Sequence, residues 1–307
     1  MDLSIVIVSW NTRDLLLQCL ESVYQEIRTF PLLEMETWVV DNASTDDSVS
    51  EVREKYPEVK LILNQNNVGF AGGNNQAISQ CSGRYVLLLN PDTVIKPNGL
   101  KSLIDFMDAN PQAGAAGSML LNPNGTLQTS CYPAPTLSRE FWRLFHLDTI
   151  RPYGVYRMSD WDMNSATEVD VIQGASLVLR KEALEQVGLL DDTYFMYTEE
   201  VDLCYRLQKS SWLLYWVPES KVVHYGGQST QQVATKMFLC LYESKLIFIR
   251  KHHGWLAAQA YKLTLVLATS IRLILSPLAL LEKPSKRQHH LRLAGNYRRL
   301  LTTLPRM

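Results

Sequence analysis

Tyr85-Val86-Leu87-Leu88-Leu89-Asn90-Pro91-Asp92-Thr93 is the stretch on which the fold turns. Five apolar residues suited to a strand buried on both faces run straight into a polar turn closed by Pro91. An open α/β sheet presents functional groups to ligands at the carboxyl ends of its strands, and Asp92 stands at such an end. Asn and Asp also favour turns for local hydrogen bonding, so the stretch alone does not separate a ligand-binding acid from a turn cap.

The same strand-then-acid pattern recurs on the amino-terminal side. Ser4–Trp10 reads as a first buried strand, and a helix beginning at Asn11 or Thr12 places Leu15, Leu16, Cys19, Leu20 and Val23 on one face. Thr37–Asp41 is a second strand ending in an acid, with Ser44 or Thr45 as cap for the helix that stops at Pro57. Val59–Leu63 is a third. Strand and helix alternate four times, which predicts a mostly parallel, doubly wound α/β sheet. The first strand-to-helix turn has no glycine, which excludes a dinucleotide fingerprint there.

Between the third strand and Tyr85 lies the densest run of Asn and Gly in the chain, Asn64–Asn75. Glycines let backbone approach a ligand, and free amides at a helix start suit phosphate or a polar ring. A helix is expected from Pro97 to Asp108 and a strand over Ala113–Leu121. Residues 133–167 mix Pro, Trp, Tyr and Arg without periodicity, as in a long loop with short helices or a lid. Strand character returns over Val169–Arg180, and Gly188 marks the end of the next helix. In Tyr194–Leu207, Thr198 can cap a helix whose first turn holds Glu199, Glu200 and Asp202. Capping explains some of these acids, but two carboxylates crowded beside an aromatic run would raise the pKa of one toward that of a general base. Two short strands, Leu213–Val217 and Lys221–His224, follow; a histidine at a strand end before two glycines is either structural or a ligand.

Charge divides the chain. From Arg250 onward there are eleven Lys or Arg and one acid, Glu282, so the tail is +10 and the remainder −11. Leu263–Leu281 is apolar but interrupted by Arg272 and Pro277. Near the minimum length for a span, and with an arginine that costs about 2.5–3.5 kcal/mol at a bilayer centre, it suits a helix lying at the membrane interface. Residues 1–232 and 233–307 are the expected domains. Aliphatic rather than aromatic interleaving of the basic residues argues against nucleic acid. The five cysteines show no C-x-x-C spacing and fit reduced thiols in the cytoplasm, and the N-terminus has no basic region of a secretory signal.

In order, Ser9-Trp10-Asn11, Asp41-Asn42-Ala43-Ser44, Asn67–Asn74, Asn90-Pro91-Asp92, Gly174-Ala175, Glu199-Glu200-Val201-Asp202-Leu203 and His224 resemble a family 2 glycosyltransferase of the GT-A fold, closest to bacterial rhamnosyltransferase-like members. The resemblance implies an inverting transfer of a sugar, with rhamnose one candidate, from a nucleotide-diphosphate donor. The acceptor it implies is a hydroxyl of a glycan or lipid-linked glycan in cell-surface polysaccharide synthesis. It assigns Asn11, Asp41, Asn67, Gly69, Gly72, Asn74 and Asp92 to the nucleotide-sugar pocket, and Asp92 with His224 also to a divalent cation, Mg²⁺ or Mn²⁺. Glu200, with Glu199, is assigned to deprotonation of the acceptor, and Asn90 and Asp202 to support. Two departures stand out: Asn90 replaces the first acid of a D-x-D element, weakening the cation site, and Glu200 is one methylene longer than the usual Asp. The reading implies a cytoplasmic enzyme peripheral to the inner face of the plasma membrane. Two alternatives compete. A sugar nucleotidyltransferase should have a Gly-rich loop where Ser9–Arg13 has none; a non-catalytic nucleotide-sugar binder would account for Asn90.

Overall fold

A computed structural model of the protein describes residues 1–281 and 283–307; Glu282, the tail's one acid, lies outside the described residues. The chain forms two compact units, residues 1–134 with 157–232, and residues 135–156 with 233–307.

The first unit is a nine-stranded sheet. Its strands are β1 Leu3–Ser9, β2 Met35–Asp41, β3 Lys60–Leu63, β4 Tyr85–Leu89, β5 Thr93–Ile95, β6 Ala113–Leu121, then after the short β7 Cys131–Tyr132, β8 Thr167–Glu168, and after β9 Val171–Ile172, β10 Ser176–Arg180 and β11 Leu213–His224. The order is β3-β2-β1-β4-β10-β6-β11-β5, with β8 on β11, while β7 and β9 form a separate pair. β3, β2, β1, β4, β6 and β11 run in one direction; β10, β5 and β8 run against them. The insertion of β10 between β4 and β6 brings Ser176 opposite Leu89, so the turn before β10 lies beside Asn90-Pro91-Asp92.

Helices α1 Arg13–Thr29, α2 Ser48–Lys55, α3 Gly69–Ile78, α4 Gly99–Ala109, α6 Lys181–Val187, α7 Glu199–Lys209 and the single turn α8 Gln228–Gln231 complete this unit, with α5 belonging to the second. Leu16, Leu20 and Val23 of α1 and Leu100, Leu103 and Met107 of α4 join Leu3, Ile5 and Leu87 in one core. Each such side chain contributes about 1.5–3 kcal/mol on burial.

Local chemistry moved several boundaries. Ser44 and Thr45 do not cap α2, which starts at Ser48 after a left-handed Asp47. Instead Ser44 Oγ accepts from Asn11 N at 2.9 Å and Thr45 N donates to Asn11 Oδ1 at 2.8 Å, tying the ends of β1 and β2 together. Asp46 accepts from Arg13 N at 2.8 Å, supplying from another loop the cap α1 lacks locally. The two strands expected at 213–224 are one strand with a shift in register between Val217 and Lys221, spanning Pro218, which has no N–H to donate. The expected strand over 169–180 is interrupted by Gln173–Ala175, giving β9 and β10.

The second unit is helical: α5 Leu137–Leu144, α9 Ala234–His253, α10 Trp255–Leu275 and α11 Pro284–Thr303. Residues 135–156 form part of this unit rather than a loop of the sheet. Glu140 of α5 is buried, accepting from Lys245 Nζ at 2.8 Å and Tyr261 Oη at 3.3 Å. Arg272 Nη2 donates to the Leu144 carbonyl, and the guanidinium stacks over Tyr297 at 5.3 Å. All five cysteines are free and buried.

Candidate active site

Asp92 follows β4, and β5 then turns back so that Thr93 pairs with His224 at the end of β11. Asp92 and His224 are both buried, with His224 Nε2 3.3 Å from Asp92 Oδ1 and 3.5 Å from Asn90 Nδ2. The other ring nitrogen, Nδ1, is 2.6 Å from Gln128 Oε1. Gln128 Nε2 donates to Asn122 Oδ1 at 3.0 Å and to the His224 carbonyl at 3.2 Å, which orients the amide with its oxygen toward the imidazole. Nδ1 therefore donates to Gln128, and Nε2 is turned toward the Asp92 carboxylate. A nitrogen and a carboxylate oxygen this close call for a proton or a cation between them. Asn90 adds an amide rather than a third acid, and among the described residues no group of three or more His, Cys, Asp or Glu could hold a metal.

Asn90 N also donates to the Ala175 carbonyl at 3.0 Å, joining this pair to the Gly174-Ala175 turn. A Cβ at Gly174 would lie 3.3 Å from the Phe70 ring and 3.8 Å from Glu200 Cβ. Glycine here lets the turn lie against both the α3 start and the α7 start. Gly69 makes the second junction: its φ is +81°, and a Cβ there would fall 2.2 Å from the Phe195 carbonyl, to which Phe70 N donates at 3.0 Å. Asn-Gly loop, Asp92 turn and α7 acids, dispersed over 130 residues of sequence, thus converge through Gly69, Gly174 and Ala175.

The loop amides differ from expectation. Gly69 N is held by Asn67 Oδ1 at 2.9 Å and Phe70 N by Phe195, so these two are not free for phosphate. Asn67 braces the loop, and Asn74 Nδ2 bonds back to the Phe70 carbonyl at 2.8 Å, leaving its buried Oδ1 without a partner among the described residues. Gly72 lies on α3 against Val68. Asp41 Oδ2 accepts from Ser44 N at 2.9 Å, while Oδ1 is buried and unpartnered among the described residues.

Tyr197 and Thr198 both adopt left-handed backbone conformations ahead of α7, and Thr198 makes no side-chain cap bond, contrary to the sequence reading. Glu199 is buried and Glu200 partly exposed, each with an Oε2 lacking a partner among the described residues. Burial raises the pKa of both, and the charge of Glu200 raises Glu199 further. Asp202 is different: fully buried, it accepts from Arg206 at 2.7 Å, and Arg206 bonds the carbonyls of Val187 and Leu189 at 2.6 Å. It anchors α7 to the end of α6.

Sequence reasoning missed Gln128, which lies in a stretch with no motif. Only its proximity to His224, 96 positions away, reveals its part.

Residues 4–181 match the family model described as glycosyl transferase family 2. The chain belongs to this family. The N-acetylglucosaminyl-diphospho-decaprenol L-rhamnosyltransferase of Mycobacterium tuberculosis is 30% identical over 71% of this chain and 75% of its own length. The rhamnosyltransferase WbbL of Escherichia coli is 27% identical over 55% of this chain and 66% of its own. The fold is shared with a mannosyltransferase from Pyrobaculum calidifontis in complex with GDP-Man and Mn²⁺, at 16% identity and a TM-score of 0.58 over 98% of this chain and 86% of that one. The protein is thus a family 2, rhamnosyltransferase-like glycosyltransferase of GT-A architecture, and neither competing reading is favoured. The family match ends before Glu199, Glu200 and His224, whose roles rest on geometry.

Proposed function

We propose that this glycosyltransferase moves a rhamnose from a nucleoside-diphosphate donor, with inversion, to a hydroxyl of a polyprenyl-diphosphate-linked saccharide at a membrane. The observation that carries the reading is the junction at Gly174-Ala175, with the Asp92–His224 pair on one side and Glu200 on the other. A buried carboxylate oxygen beside an imidazole nitrogen supplies two donors that fit Mg²⁺ or Mn²⁺, and oxygens of the sugar donor's diphosphate would stand in place of a third acid. When bound there, a divalent cation supplies charge neutralisation to the diphosphate leaving group. The remaining work falls to the chain. Asp41 Oδ1 is a ready acceptor for a nucleobase N–H, and Asn11, bonded to both Ser44 and Thr45, holds the β1 and β2 ends that frame it. Glu200, the less buried of the two acids and with raised pKa, accepts the proton of the acceptor hydroxyl as it attacks the sugar carbon opposite the diphosphate. Glu199 is more deeply buried than Glu200, and its pKa is raised by that burial and by the charge of Glu200. The rhamnose and the lipid-linked acceptor are supported by the names of the two relatives above. The second unit, carrying sixteen Lys or Arg and four acids, provides the membrane contact of a cytoplasmic, peripheral enzyme.

The test is nucleoside-diphosphate release from a panel of donors with a polyprenyl-diphosphate-linked N-acetylglucosamine acceptor. Release with a rhamnose donor, lost in both Asp92→Ala and Glu200→Ala, is expected; wild-type turnover by both variants would overturn the proposed site.

A further inference from the structure

One face of the second unit is built against the usual rule. Every exposed side chain of α10 between Leu256 and Leu275 is apolar. Leu256, Leu263, Leu267, Ile271 and Ile274, continued by Leu278 beyond the helix, step by seven, four, four, three and four, so they form one stripe along it. Leu256, Ile274 and Leu263 are 76%, 75% and 71% exposed, and Trp255 at the helix start is 61% exposed. The opposite face is taken: Ala258, Tyr261, Leu265, Ala268 and Thr269 are buried, and Tyr261 is bonded to Glu140 of α5. A continuous apolar stripe of this length needs a cover.

We infer that the cover is an anionic lipid bilayer, in which α10 lies along the interface with this stripe among the acyl chains. Three observations select that occupant. The unit's sixteen Lys or Arg against four acids give it a net charge of +12, which attracts an anionic surface and opposes a second copy of the same charge. α11, packed on α10, contains no acid and exposes Arg287, Arg292, Arg298 and Arg299. The 25-residue segment Trp255–Ala279 is long and apolar enough to cross a membrane, but its other face is committed. Arg272 is bonded to Leu144 and His146 and stacked on Tyr297, and Tyr261 is bonded to Glu140, so a crossing helix would carry α5 and a guanidinium into hydrocarbon. A helix with one face bound to protein and the other apolar lies in the interface.

The inference specifies the face and the lipid class of the membrane contact proposed above, and it rests on that contact. The experiment is co-sedimentation of the full chain with phosphatidylcholine vesicles, with and without phosphatidylglycerol. Binding to the anionic vesicles that weakens with salt and is released by alkaline carbonate is expected. Leu263→Glu/Leu267→Glu/Ile274→Glu should weaken it at least about tenfold, and so should Arg287→Gln/Arg292→Gln/Arg298→Gln/Arg299→Gln, which leaves the stripe intact. Unchanged binding by the triple glutamate variant, or resistance to carbonate, would overturn the interfacial helix. A dimer that this variant dissolves, without vesicle binding by the wild type, would assign the stripe to a second copy instead. Donor binding, followed by calorimetry, should be the same in all forms. Its absence would count against the transfer reading and leave the vesicle result standing.

Discussion

Replacing Gln128 by leucine tests whether the imidazole of His224 is held as a ligand rather than merely packed. The amide oxygen 2.6 Å from Nδ1 holds a hydrogen there and turns Nε2 toward Asp92, and the amide nitrogen is itself fixed by Asn122 and the His224 carbonyl. Leucine has similar bulk and no acceptor, so the ring is free to place its hydrogen on Nε2 and donate to Asp92. Losing a partner of this kind typically lowers metal affinity about 10–100-fold, or roughly 1.4–2.7 kcal/mol. Mn²⁺ titration by electron paramagnetic resonance, with nucleoside diphosphate present, reads that shift directly. Gln128→Glu keeps the acceptor and should bind Mn²⁺ more tightly than the leucine variant, while His224→Ala sets the limit of a lost ligand. If Gln128→Leu binds Mn²⁺ within about twofold of wild type while His224→Ala is impaired, the argument that Gln128 sets the tautomer is refuted.

Two further outcomes follow from buried carboxylates. Glu200 must be ionised to accept a proton and its pKa is raised, so kcat should climb with pH through a midpoint above 4.5; Glu199→Gln, which mimics the protonated neighbour, should cost less than about tenfold, against about 10²–10⁴ for Glu200→Gln. Glu36 behaves in the opposite sense: burial works to raise it, but bonds from Lys60, Ser4 and Ser82 bring its pKa from 4.5 to about 2, so its contribution is present above pH 4.5 and is lost as pH falls toward 2. Glu36→Gln should destabilise by about 3 kcal/mol in urea unfolding at neutral pH and by almost nothing near pH 2, and a penalty independent of pH would contradict the assignment.

What was legible in the sequence is what one element can encode by itself. A buried strand repeats its apolar character over five residues, so β1, β2 and β4 could be read without partners, and the acids at their ends came with them. What could not be read depends on groups brought together from far along the chain. Thr198 looked like a side-chain cap because Thr before an acidic turn usually is one, yet a left-handed turn spends that position on aiming α7. The amides of the Asn-Gly loop looked free for phosphate, but Asn67 takes that of Gly69 from two residues away and Phe195 that of Phe70 from 125 residues away. Asn90 looked like a defect while it was compared with an acid. In the fold its backbone N–H holds the Ala175 turn and its amide stands beside His224 Nε2, so the position links the Asp92–His224 pair to the turn that lies against Glu200. An acid there would add a second carboxylate beside that of buried Asp92 and the His224 ring, where the like charge has to be neutralised or one group protonated. The amide avoids that repulsion, so Asn90 is compatible with the cation site proposed at Asp92 and His224.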